Sequence, residues 1–180
     1  AEKIFKYTQN LNLPILKTDF FLNDPKFTIN KNEKKFNIFI NLDSHHDQNN
    51  WDLKNYIKII SKIIKYNINI FINFSPNKKH FFKLIPEDMI NSKNIFFTCQ
   101  KSILEIMEII YSCDIVIGNE SGPICLAASF KKEVHSIYLP IHTKPESQII
   151  NEKTFYYNTD ENNSEFIVNK IINNLLRKIS

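Results

Sequence analysis

The sequence predicts an α/β fold, a Rossmann-like parallel sheet with helices on both faces, and three observations predict it. Short apolar, β-branched runs alternate with longer segments whose apolar residues recur at helical spacing. Successive runs are separated by enough chain for a helical crossover, which parallel pairing requires. The 180 residues, 43% of them apolar, suffice to bury one core.

The first run, "FNIFINL" (36–42), ends in the polar stretch "DSHHDQNN" and reads as a buried strand leaving into a loop. A helix follows: Leu53, Ile57, Ile60, Ile63 and Ile64 recur at helical spacing, and Asp52 complements the dipole at its start. Next come a strand at 68–74, a helix from Asn77 towards Ile90, a strand at 94–98, a helix at 102–112 and a strand at 114–117. Beyond them are a helix at 121–131, a strand at 133–139 and a loop "PIHTKPESQ". A short strand near Phe155 and Tyr156 and a helix from about Ser164 to Lys178 complete the pattern. The strands at 36–42, 68–74, 94–98, 114–117 and 133–139 are expected to form one parallel sheet. The alternation of Phe155, Tyr156 and Tyr157 reads as a partly buried edge. Residues 1–35 are less regular and stand apart from the domain at 36–180.

Composition narrows the function classes. A net charge of +4, spread along the chain, gives no reason to expect a nucleic-acid partner. Lysine supplies nearly all the positive charge, and the abundance of Asn, Ile and Lys reads as compositional drift. Cys99, Cys113 and Cys125 lack CxxC spacing and read as buried thiols in a reducing compartment, with neither disulfide nor metal site expected. No apolar run approaches the roughly 20 residues that span a bilayer. The start carries no signal-like pattern, so a cytoplasmic protein is expected. Because it begins on Ala1, the chain reads as a piece of something longer.

Gly118 and Gly122, the only glycines, both fall in "CDIVIGNESGPICLAASF" (113–130). The strand before Gly118 delivers the chain to the carboxyl edge of the sheet, where ligands of such folds sit. Ser121 is placed to cap the next helix, with Gly122 and Pro123 in its first turn. Free amides there and the helix dipole favour an anion, and a residue without Cβ lets a phosphate approach the backbone. A glycine retained in this background is expected to be held by its backbone conformation. These residues alone fit a ligand-free tight turn equally well. There is no GxxxxGK[ST], and two glycines cannot build GxGxxG. Ser121 is not flanked as G-x-S-x-G, and Asp160 follows His135 and His142 in the chain, so a hydrolase triad is not expected.

The same segment resembles the signature of glycosyltransferase family 9, the heptosyltransferase-like enzymes: a strand, then G-N-D-S-G-P-x-H-L-A-A. Gly118, Asn119, Ser121, Gly122, Pro123, Leu126, Ala127 and Ala128 match it. Upstream, "INLDSHHDQNNWDLKNYIKII" is similar to the family's strand, K-x-W-P loop and helix, with Trp51 in place, and "SILEIMEIIYSCDIVIG" resembles the helix before the signature. The quoted likeness covers about 36–178.

The resemblance implies the C-terminal half of a GT-B glycosyltransferase, the half that binds the sugar-nucleotide donor. It implies no cofactor, a donor such as ADP-heptose or another nucleotide-diphosphate sugar, and a lipopolysaccharide-type glycolipid acceptor. The catalytic base belongs to the family's N-terminal half. Residues 1–35 would then be the linker or remnant of that missing half, no catalytic residue lies in this chain, and the chain alone transfers nothing. Peripheral membrane association would belong to the complete enzyme.

The implied donor contacts are Gly118, Asn119, Glu120, Ser121, Gly122, Pro123, Cys125, His46, Asn49 and Thr143. Several depart from the family. Glu120 replaces an Asp and would meet sugar hydroxyls, Cys125 replaces a His, and Asn49 stands where a Lys is expected. The acid that would hold a ribose is missing from "FSPNKKHFF". His45, His46, Lys78, Lys79, His142 and Thr143 are candidates to compensate. Such departures leave open a degenerate, non-catalytic binding or interaction module, or a nucleotide-sugar enzyme of another GT-B type such as an epimerase.

Overall fold

A computed structural model describes residues 35–44, 50–139, 152–160 and 162–179. The segment assigned to a linker or remnant therefore lies outside the described residues, apart from Lys35. The elements are β1 (Phe36–Asn41), α1 (Leu53–Ile63), β2 (Ile68–Asn73), a 3-10 segment (Pro76–Lys83), α2 (Glu87–Ile90) and β3 (Ile95–Phe97). They continue with α3 (Ile103–Ser112), β4 (Ile115–Asn119), α4 (Gly122–Ser129), β5 (Glu133–Tyr138), β6 (Thr154–Asn158) and α5 (Ser164–Ile179).

All six strands are parallel, in the order β3-β2-β1-β4-β5-β6. Each of the five expected strands is in the sheet, and the short strand near Phe155 joins it as an edge. Strand order reverses between β1 and β4, which makes their carboxyl ends the switch point of a doubly wound sheet. Side-chain alternation divides the core. Ile38, Ile40, Ile70, Ile72, Ile115, Ile117 and Ile137 pack against α1 and α5, while Phe39, Val116 and Val134 pack against α3 and α4.

β1 and β2 carry nearly the same sequence, FNIFIN and INIFIN, aligned in register so that like residues pair. Asparagine is a poor strand residue. Here Asn69 Nδ2 donates to Asn37 Oδ1 at 3.0 Å and Asn73 Nδ2 to Asn41 Oδ1 at 2.8 Å, so the four amides of β1 and β2 meet in pairs.

One expected helix is different. The segment from Asn77 to Ile90 is a 3-10 stretch followed by a single α turn. Pro86 has no N–H and drives its predecessor out of helical conformation, which ends one element and starts the next. Phe81 and Phe82 are consecutive, yet both rings contact Phe74, at 5.6 and 5.1 Å, an arrangement that a regular amphipathic helix would not provide. Asp52 does cap α1, accepting from Lys54 N at 3.0 Å. Ser102 and Glu105 close a capping box on α3.

On the α5 side, the buried His135 ring contacts the Tyr157 hydroxyl at Nδ1 (2.8 Å) and Glu133 at Nε2 (3.3 Å), and Lys178 of α5 reaches Glu133 at 2.6 Å. Burial, then Glu133, pushes the Tyr157 phenol up to about 12. The hydrogen bond from His135 pulls the Glu133 carboxyl below its usual value despite partial burial, with Lys178 adding to it. A lowered carboxyl pKa stabilises the fold above the unfolded value and loses that contribution as pH falls through the folded one. The advantage of the natural chain over Glu133→Gln should therefore hold at neutral pH and shrink below about pH 4.3, as read by urea unfolding across pH.

Neither glycine has a positive φ. The expectation that both are held by backbone conformation is thus corrected. A Cβ on Gly118 would lie 2.6 Å from the Asn41 carbonyl oxygen and 2.9 Å from Asn41 Cβ, whereas one on Gly122 would meet nothing within 4 Å among the described residues. Gly118→Ala should therefore cost about 1–3 kcal/mol or more by overpacking. Gly122→Ala should be neutral or stabilising by up to about 1 kcal/mol. Denaturant midpoints of the two variants check the contrast.

Candidate functional site

The carboxyl ends of β1 and β4 are joined by polar side chains that hold the site's framework. Asn119, at 1% exposure, accepts from Trp51 N at 2.8 Å and donates to the Leu42 carbonyl at 3.0 Å. It ties the end of β4 to the end of β1 and the start of α1. Trp51 is also buried, donates from Nε1 to Ser164 Oγ at 3.1 Å, and meets Tyr56 edge to face. Asn50 Oδ1 accepts from Ser44 N at 2.6 Å, which closes the two ends of the loop between β1 and α1. Buried Asp43 accepts from Ser75 N at 3.1 Å, tying that loop to the exit of β2.

One row of side chains crosses the sheet at this edge on the face that α4 covers. Thr98 Oγ1 donates to Asn73 Oδ1 at 3.0 Å, Asn73 to Asn41, and Asn41 Nδ2 to Ser121 Oγ at 3.1 Å. Register continues the row from Asn41 to Gly118, Ser136 and Tyr156. Gly118 is the gap in this row that lets β1 and β4 close up.

Ser121 holds the N-cap position of α4 but makes no capping bond. Its hydroxyl instead donates back to the Asn119 carbonyl at 2.8 Å and accepts from Asn41. The cap expected from sequence is therefore present in position and absent in chemistry, leaving the first turn of α4 without that partner. Gly122 is exposed on that turn, followed by Pro123 with no N–H to satisfy. Glu120, whose backbone N–H donates to Ile137 O at 3.0 Å, stands beside the turn. Cys125 lies partly buried one turn along, its thiol pushed up by burial and then by Glu120, so it stays protonated.

Of the residues expected to contact a donor, the fold brings Gly118, Glu120, Ser121, Gly122, Pro123 and Cys125 together at the β4–α4 turn. Asn119 is a framework residue, both polar atoms of its buried amide being engaged inside the protein. Gly118 is likewise explained by Asn41 rather than by a ligand. His45, His46, Asn49, His142 and Thr143 lie outside the described residues. Lys78 and Lys79 fall in the 3-10 segment after β2. Asn41, Asn73 and Asp43 were missed from sequence, though the repeated Asn at the ends of two near-identical runs was a usable signal. Among the described residues no cluster of His, Cys, Asp or Glu is arranged to hold a metal, and no helix is long and apolar enough to cross a membrane.

Asn119→Ala should strand the buried Trp51 N–H and Leu42 carbonyl and cost about 2–4 kcal/mol. Trp51 is the only tryptophan, so the loosening should also appear as a red shift of native fluorescence.

The profile of glycosyltransferase family 9 (heptosyltransferase) matches residues 2–173, a span that takes in the residues ahead of β1. No curated protein sequence matches the chain. Among solved structures, E. coli heptosyltransferase WaaC with ADP-2-deoxy-2-fluoro heptose superposes with a TM-score of 0.62 at 12% identity, over 81% of this chain and 44% of that one. E. coli ADP-heptose lipopolysaccharide heptosyltransferase II gives 0.63 at 12% identity, over 100% and 53%. The C-terminal domain of a group 1 glycosyltransferase, LpcC of Francisella tularensis, gives 0.53 at 17%, over 79% and 75%. At such identities the likeness is one of fold, that of one half of a GT-B glycosyltransferase. This chain spans about half the length of the two heptosyltransferases. With the family profile matching nearly the whole chain, the protein belongs to glycosyltransferase family 9, the heptosyltransferases.

Proposed function

We propose that this chain is the donor-binding half of a heptosyltransferase-like enzyme, and that the first turn of α4 takes the phosphates of a nucleotide-diphosphate sugar. The observation that carries the reading is Gly122. Lys131 adopts φ 57 just past α4, where glycine is ordinarily favoured. A chain that places lysine there does not keep glycine for small conformational gains. Gly118 has Asn41 against it, but nothing in the described fold crowds Gly122. A ligand approaching the uncapped amides supplies the missing reason.

ADP-heptose is the donor best supported, since WaaC is solved with ADP and with an ADP-heptose analogue. A lipopolysaccharide-type glycolipid is the matching acceptor, and the work of such an enzyme is cytoplasmic, with peripheral attachment to the membrane. Transfer needs a base and an acceptor positioned in the same cleft. Both would come from a second half facing the carboxyl edge. Exposed Ile103, Leu104 and Phe166, in the first turns of α3 and α5 at that edge, are suited to meet it.

Calorimetric titration of the chain with ADP and ADP-heptose tests the reading. Binding should be weak, since Asn49 replaces a lysine and no acid follows β2 to hold a ribose, and no transfer should occur. Gly122→Leu should abolish binding without unfolding the protein. Cys125→His should strengthen it by restoring a polar contact. Absence of heat with either ligand, unchanged by the histidine, would overturn the proposal.

A further inference from the structure

The positive charge that is spread along the sequence is gathered by the fold onto one face. α1 and α5 lie side by side over the sheet, tied at their starts by the Trp51 indole on Ser164 Oγ, and turn Ile59, Ile63, Ile167 and Ile171 into the core. Lys54, Lys58, Lys62 and Lys65 recur at helical spacing along α1 and just past its end, while Lys170, Arg177 and Lys178 stand on α5. All seven are exposed, and these two helices with the Asp52 cap carry only Asp52 and Glu165 against them. On the other face of the sheet, the stretch from Lys101 to Lys132 that carries α3 and α4 holds three lysines against four acids.

Ion pairs neutralise part of the basic face. Lys54 meets Asp52 at 2.8 Å, Lys58 meets Glu165, and Lys178 meets Glu133 at 2.6 Å. Among the described residues no acid pairs with Lys62, Lys65, Lys170 or Arg177. Helix dipoles favour Lys62 and Arg177 in the last turns of α1 and α5. They do not account for Lys170 in the middle of α5, and they disfavour Lys54 in the first turn of α1.

We infer that the face formed by α1 and α5 is a docking surface for an anionic lipid bilayer. Two helices side by side present a broad surface, and lysines on long stems suit a plane of charged headgroups. A nucleic-acid strand would seek open ring faces for its bases, but the rings beside these cations are covered: Lys65 lies over Tyr66 at 5.5 Å and Lys170 over Tyr157 at 5.7 Å. Lysine also outnumbers arginine six to one on this face, whereas arginine is the residue suited to bidentate recognition of phosphates and bases. α4 covers the other face of the sheet, so the inference does not rest on the phosphate reading of its first turn.

Lys62→Gln, Lys170→Gln and Arg177→Gln together remove three of the cations without an acidic partner. In co-sedimentation, the full chain should bind vesicles of phosphatidylglycerol and phosphatidylcholine, more weakly as salt is raised, and should not bind phosphatidylcholine alone. The triple variant should bind about 100-fold more weakly, roughly 5-fold for each cation, with an unchanged thermal midpoint. If the triple variant is less stable, Lys62→Gln alone, about 5-fold weaker, carries the test. Lys79→Gln, Lys83→Gln and Lys93→Gln, which remove the same charge from exposed positions elsewhere, should lose far less. Equal weakening by both triple variants makes net charge the cause and overturns the inference. Binding to neither vesicle, or to both alike, also overturns it. So does tighter retention by a DNA strand at the same salt, which gives the face to another polyanion.

Discussion

The Asn119 amide donates to the Leu42 carbonyl and accepts from the Trp51 N–H, so one side chain at the end of β4 holds both sides of the connection from β1 to α1. The position of α1 depends on that bridge, and through the Trp51 indole so does the start of α5. Exposed loop residues could not do this, since an amide bond to water competes on equal terms with one to protein. Burial makes the bridge decisive, because each atom of the amide has its partner and each partner would be left unpaired without it.

Sheet geometry explains why a polar row can sit at this edge without weakening the core. The next row inward on the same face runs through Phe71, Phe39, Val116 and Val134, and it supplies apolar contact to α3 and α4. One step towards the carboxyl ends the row changes to Asn73, Asn41, Gly118, Ser136 and Tyr156, and the helices give way to the mouth of the site. Register pairs asparagine with asparagine across β1 and β2, and each amide offers both a donor and an acceptor. A shift of one residue between these strands would put Asn opposite Ile at both ends, so the same pairs also select the alignment.

Most of the fold was legible, because apolar periodicity and crossover length are local properties of the chain. α1, α3, α4, α5 and the parallel strands follow from them. The helix after β2 was not, since its apolar residues satisfied a helical count while Pro86 and the shared contact of Phe81 and Phe82 with Phe74 decided its shape. The β4–α4 turn was legible as a place, the roles of its residues less so. Asn119 and Gly118 belong to the family signature, and a signature does not separate residues that touch a ligand from those that hold up the ones that do. Only the partners across the sheet, Leu42, Trp51 and Asn41, make that separation.

The two glycines illustrate how physical context divides a motif. Both survive in a chain that fills even a left-handed position with Lys131, at a cost of roughly 1 kcal/mol relative to glycine. At Gly118 the cost of a side chain is internal, a methyl driven into the backbone of β1 at the switch point. At Gly122 the described residues impose no such cost, and in a helix first turn alanine would be preferred on conformational grounds alone. On the proposed reading the requirement there comes from a ligand, at a surface where the first turn lacks a side-chain cap and the Ser121 hydroxyl is turned inward to Asn41 and Asn119. Ser121 thereby strengthens the polar framework and leaves the first turn of α4 without its side-chain cap, so that the stability of the edge and the availability of the proposed site have the same structural origin.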